Sequence, residues 1–245
     1  MINMNQQLEQ LIKEAVGNAN TERKCKIEHH ATLFALLTRA AIESKGDEGK
    51  DAIVKAITLY AEERGARMAE TALKHGDEPD IANFVAYGEW VAEPGEKDDI
   101  IEQRLPSFVT HTLLCPWFES WKKHNLLDFG RYYCLTVDDA LYRGFGPANV
   151  CTVHSTLAWG GDKCCFDWNK PMSDDDFARL KNKQEELGLS LKKDFSFHTA
   201  HLLNTLSEYL FNKYSNEGVD IVGRALKEFT ELFGGDYLIS LTGQY

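Results

Sequence analysis

Apolar residues recur at helical spacing through the first hundred positions of the chain. In residues 29–41 the run HHATLFALLTRAA sets Leu33, Phe34, Leu37 and Ala41 on one stripe. The Gly- and Asp-rich residues 45–51 predict a turn. Ile53, Ala56, Ile57 and Tyr60 then share one face of a second helix that ends before Gly65. A third helix is predicted over residues 66–74, with Gly76 suited to cap its C-terminus. The charged stretch EPGEKDD, residues 93–99, predicts a loop and a first boundary.

The pattern changes in the middle third. Residues 106–130 contain HTLLCPWFESWKKH, and a short helix is predicted over residues 137–143. The runs VCTVHSTLAW and CCFDW flank a Gly-Gly-Asp turn and predict an antiparallel hairpin. Residues 173–188 predict an exposed, charged helix, and residues 197–234 return to helical spacing. That last stretch repeats the first. An offset of 169 residues aligns residues 29–65 with 198–234 without a gap, and ten of the 37 positions are identical, His29/His198, Gly49/Gly218 and Gly65/Gly234 among them. We read this as a duplicated helical hairpin on either side of a central module. The expected fold is α+β: one domain over residues 1–245, with a helical part (1–105), a cysteine-rich α+β module (106–170) and a C-terminal helical hairpin (171–245).

Composition narrows the function classes. The 245 residues carry 27 Lys+Arg against 38 Asp+Glu, a formal net charge of −11, which argues against a nucleic-acid binder. No apolar run reaches the roughly 18 residues of a membrane span. The start MINMNQQLEQ lacks the basic and apolar regions of a signal peptide. With no export signal, the six cysteines read as thiols of a reducing cytoplasm. Five of them lie within the 51 residues from Cys115 to Cys165.

Cys115 has the strongest local reason to react. Pro116 suits the first position of a helix, so Cys115 would sit at the N-cap, where the helix dipole favours a thiolate. His111, four residues upstream, is the candidate base. A buried cysteine that merely starts a helix is the competing reading. Asp138 and Asp139 open the next helix, where acidic residues ordinarily serve capping. Arg131 and Arg143 flank that run and could hold a carboxylate through a guanidinium fork. No CxxC pair is present, so a zinc-ribbon reading is weak, although Cys115, Cys134 and Cys165 remain an alternative metal set. Phosphate-loop, dinucleotide, GxSxG and HExxH motifs are all missing.

The order HTLLCPWFESW, GRYYCLTVDDALYRGFGP, STLAWGGDKCCFDW resembles the L-2-amino-thiazoline-4-carboxylic acid hydrolase family over residues 27–168. The resemblance is strongest in Cys-Pro-Trp at Cys115, Tyr-Cys at Cys134, and Gly-Asp-x-Cys-x-Phe around Asp162 and Phe166, where either Cys164 or Cys165 fills the cysteine position. One departure is Gly146, where the pattern expects an asparagine before Pro147. The resemblance implies a hydrolase acting on a C–N bond of a small cyclic amidine, opening an aminothiazoline ring toward a carbamoyl-cysteine. Local chemistry supplies the roles. Cys115 would attack or polarise the ring carbon, with His111 or Asp138 moving protons and Cys134 a second catalytic thiol. Arg131, Arg143 and Trp117 would bind a small-molecule carboxylate substrate. No cofactor is expected, with zinc or iron as the alternative; no nucleic acid or membrane partner is expected, and a homo-oligomer is left open. The competing function is a non-catalytic small-molecule or metal sensor, similar to ligand-binding domains of the 4-vinyl reductase type.

Overall fold

The computed structural model describes residues 4–242. Four helices come first: α1 (Met4–Val16), α2 (Ile27–Lys45), α3 (Asp47–Lys74) and α4 (Ile81–Ala86). Strands β1 (Asp98–Gln103) and β2 (Val109–Leu114) precede α5 (Pro116–Lys123), α6 (Leu127–Gly130), a 3-10 helix (Arg131–Leu135) and α7 (Val137–Phe145). Then come β3 (Thr152–Ser155), a 3-10 turn (Leu157–Trp159), β4 (Cys164–Asp167) and helices α8 (Asp174–Leu187), α9 (Phe195–Tyr214), α10 (Asn216–Phe233) and α11 (Asp236–Ile239). The architecture is α+β, and the chain forms two compact units. One unit takes the residues up to Tyr60, Pro116–Leu135 and those from Asp194 onward; the other takes Ala61–Cys115 and Thr136–Lys193. The division therefore falls within α3.

The first unit is helical, with α2 at its centre. This helix packs against α5, α6, α9 and α10, so it buries Leu33, Phe34, Leu36 and Leu37 around its circumference. Trp121 of α5 is fully buried and donates its indole N–H to the Ala31 carbonyl at 2.9 Å. The duplicated hairpin is present in three dimensions. Gly46 joins α2 to α3 with φ 58° and ψ −134°, and Ser215, its counterpart in the second copy, joins α9 to α10 with φ 53° and ψ −125°. The Gly46 N–H donates to Ile42 at 2.7 Å, and the Ser215 N–H to Phe211 at 2.8 Å. A Cβ on Gly49 would collide with the Ala41 carbonyl, and one on Gly218 with the Leu210 carbonyl. Lys45 pairs with Glu217 at 2.6 Å, and reciprocally Lys213 pairs with Glu48 at 2.9 Å. The turn expected over seven residues is thus a single residue: Gly46 reverses the chain alone, and Gly49 lies inside a helix where two backbones nearly touch.

Helices α2 and α9 also carry four buried histidines, His29, His30, His198 and His201. His29 accepts the Lys26 N–H on Nδ1 at 2.9 Å and stacks on Tyr237, ring centroids 4.0 Å apart. Burial lowers its pKa to about 4, so it is a neutral core residue.

The second unit is built on a four-stranded antiparallel sheet of order β1-β2-β4-β3. The predicted hairpin is β3 and β4, shortened because the chain coils into the 3-10 turn before returning. Strands β1 and β2 were not expected. All six residues of β1 are exposed, so it shows no alternation of apolar and polar positions. The buried side of this unit collects Phe84, Tyr87, Phe108, Tyr142, Phe145 and Met172 from helices and loops around the sheet. The predicted helix break at Gly65 is corrected: α3 runs unbroken from Asp47 to Lys74. Gly65 is used for proximity. A Cβ there would collide with the Leu141 carbonyl, and one on Gly144 with the Glu62 carbonyl, so α3 and α7 cross backbone to backbone. That crossing brings Arg64 of α3 toward the first turn of α7.

Candidate active site

Strand β4 alternates as expected, with Cys164 buried and Cys165 half-buried on the other face. The Cys164 sulfur accepts the Leu157 N–H at 3.4 Å. Burial pushes this thiol up to about 12; the charges of Cys115 and Asp138 push the same way, while Lys97 and the Leu157 N–H oppose them. Asp138, on the first turn of α7, is raised to about 6, chiefly by burial, with Lys97 and Arg64 opposing and Asp99 reinforcing. Asp138, Cys115, Cys164, Lys97 and Asp99 thus form one electrostatic cluster: Lys97 acts on both Asp138 and Cys164, Asp99 on Asp138, and Cys115 on Cys164. It contains an acid that titrates at about 6 within electrostatic reach of a cation and a thiol.

Arg64 is held in a buried ion triad. Its Nε lies 3.3 Å from Glu89, which Arg67 also grips at 2.8 and 2.9 Å. Burial alone would raise the Glu89 pKa, but Arg67 and Arg64 outweigh it and hold the carboxyl below its usual range. Cys151 has a different environment. Its N–H donates to Asp139 at 3.0 Å, and burial pushes its thiol up, with Asp138 and Asp139 adding to the shift. It is poorly suited to be a nucleophile.

The seven residues singled out from the sequence divide between the units. Cys115, His111, Asp138 and Arg143 belong to the second; Cys134, Arg131 and Trp117 belong to the first. Cys115 is half-buried and directly precedes Pro116, the first residue of α5. His111 does not lie beside it. The two were four residues apart in a segment that turns out to be extended, and four steps of strand separate their Cα atoms by about 13 Å. The imidazole instead receives the Lys163 ammonium on Nδ1 at 2.9 Å, sits 3.5 Å from Glu102, and faces Cys165 across the β2–β4 ladder. Arg143 is also committed elsewhere. It bonds Glu62 at 2.8 and 3.2 Å and pairs with Asp139, which ties α7 to α3 rather than offering a fork to a ligand.

Trp117 is a buried packing residue, stacked on Tyr133 with centroids 6.1 Å apart and edge-on to His30 and Phe195. Arg131 lies 3.9 Å from Asp128 and over the Tyr132 ring. Cys134 is half-buried in the 3-10 helix. Among the described residues no group of three or more His, Cys, Asp or Glu side chains is placed to hold a metal ion, the set Cys115, Cys134 and Cys165 included. Nor is any helix among them long and apolar enough to cross a membrane.

Sequence reading missed Lys97, Asp99 and Arg64. The first two sit in what reads as a solvated charge run, and their one signal is Trp90, an aromatic residue a few positions before it. Arg64 is masked by its place beside a glycine that reads as a helix end.

The stretch from α2 to β4 contains this cluster whole, and it is the stretch that a family model recognises: the model described as L-2-amino-thiazoline-4-carboxylic acid hydrolase matches residues 24–168. The chain belongs to that family. The hydrolase-family match begins before α2 and ends just after β4, close to the limits of the sequence resemblance, and leaves α8 to α11 outside it. No curated protein and no solved structure matches the chain.

Proposed function

We propose that the protein hydrolyses a C–N bond of a small cyclic amidine or amide carrying a carboxylate, of the 2-amino-thiazoline-4-carboxylate type. The family's description supports a hydrolase. The observation that carries the reading is Asp138, a half-buried carboxyl that feels the charge of Lys97, acts on Cys164 as Cys115 does, and is poised near pH 6. Ring opening needs one group to take a proton and return it. As the Cys115 thiol adds to the amidine carbon, Asp138 accepts its proton, and the adduct's ring C–N bond breaks as Asp138 protonates the departing nitrogen. Water then displaces the thiol, its oxygen becoming the new carbonyl and Cys115 leaving with a proton. A carboxyl near pH 6 suits both halves, since general acid–base efficiency peaks when the pKa lies near the working pH.

The experiment is ring opening of 2-amino-2-thiazoline-4-carboxylate, followed by the appearance of a primary amine. Asp138→Asn is expected to lower kcat by about 10²- to 10⁴-fold, and the wild-type kcat/KM is expected to fall below a limb near pH 6. Full activity in Asp138→Asn overturns the reading. Full activity in Cys115→Ser removes the covalent step and leaves Asp138 activating water directly.

A further inference from the structure

A cleft of about 450 Å³ opens in the second unit, lined by Trp90, Val91, Glu93, Pro94, Lys97 and Asp99 among others. Lys97 is the one cation among the described residues that line it. Its position is fixed from two sides. The ammonium lies 2.5 Å from one oxygen of Asp99, whose other oxygen accepts the Thr112 hydroxyl of β2 at 2.6 Å, and it stands 5.4 Å from the centre of the Trp90 ring. Asp99 occupies one of three ammonium donors, which leaves donors for the cleft. The charge of Lys97 also reaches Asp138 and Cys164, which puts the cleft within electrostatic range of both.

An exposed Lys–Asp pair is ordinarily a weak surface contact. This one differs in being pinned by a strand hydroxyl and backed by an aromatic face. The lining is also dipolar, because Asp99 and Glu93 set negative charge beside the single ammonium. A plain anion would meet that negative charge, and a plain cation would meet Lys97. A zwitterion satisfies both.

We propose that this cleft is the substrate subsite, and that it selects a small zwitterionic heterocycle whose carboxylate is taken by Lys97 while its cationic end faces Asp99, Glu93 and the Trp90 ring. The substrate class rests on the hydrolase reading above, whereas the subsite rests on the cleft itself. Arg143, spent on Glu62 and Asp139, is thereby replaced by Lys97 as the carboxylate anchor.

The test compares 2-amino-2-thiazoline-4-carboxylate with 2-amino-2-thiazoline, which lacks the carboxylate, in wild type, Lys97→Met and Lys97→Arg. A lost charge-assisted hydrogen bond predicts a rise of about 10- to 100-fold in KM for the acid in Lys97→Met. Preference for the acid over the decarboxylated ring should collapse by the same factor, and Lys97→Arg should restore part of it. Equal losses for the two compounds overturn the subsite. If wild type opens neither ring, binding of L-thiazolidine-4-carboxylate, a zwitterion without the amidine carbon, is followed by tryptophan fluorescence and calorimetry. Binding that Lys97→Met weakens at least tenfold, in a variant with unchanged circular dichroism, supports the subsite while the hydrolase reading fails. No binding, or binding indifferent to Lys97, overturns the subsite.

Discussion

A carboxylate on the first turn of a helix normally ionises easily, because the helix dipole favours negative charge there. At Asp138 burial wins over the dipole and over two cations, which is why its pKa rises to about 6. The consequence for stability follows from linkage. Between pH 3.8 and about 6 the folded chain holds a proton that the unfolded chain releases, so Asp138 makes the fold less stable as pH rises through that window. Asp138→Asn is expected to gain about 1–2 kcal/mol at pH 7.5 and nothing at pH 3, read from urea denaturation. His29 works in the opposite direction. Its folded pKa of about 4 lies below the ordinary 6.5, so its contribution is full above pH 6.5 and is lost as pH falls toward 4. Asp138 and Cys115 stand out in the sequence through their helix-start positions, which local pattern encodes. Lys97 does not, because its meaning depends on Asp99 and Thr112 being brought together by strand pairing.

At the scale of elements, the hairpin repeat explains which glycines matter. Gly46 and Ser215 adopt the same left-handed backbone, comfortable for glycine and strained for serine. Ser215→Gly should therefore raise unfolding free energy by about 1 kcal/mol, measured by thermal or urea unfolding. The helices of both copies were readable because their apolar residues keep a 3.6-residue period. Gly65 was misread because a glycine inside a helix and a glycine ending one look alike from one chain segment; only the approach of Leu141 distinguishes them. His111 failed for a related reason: four residues mean neighbours on a helix and about 13 Å on a strand. The weak β1 pattern hid the sheet that decided between the two.

At the scale of the whole molecule, the duplication was visible along the sequence, but the assignment of segments to units was not. The first unit draws on three separate stretches and the second on two, and no local periodicity records that interleaving. A chain ending at Lys193 lacks α9 and α10, against which α2 buries much of its surface. Such a truncation should leave residues 27–45 sensitive to limited proteolysis, whereas the full chain protects them.

The central position of α2 has a consequence for synthesis. This helix leaves the ribosome well before two of the helices that enclose it, which are encoded after residue 194. Its apolar circumference must therefore wait for α9 and α10, while the second unit, complete by Lys193, can assemble before those two helices emerge.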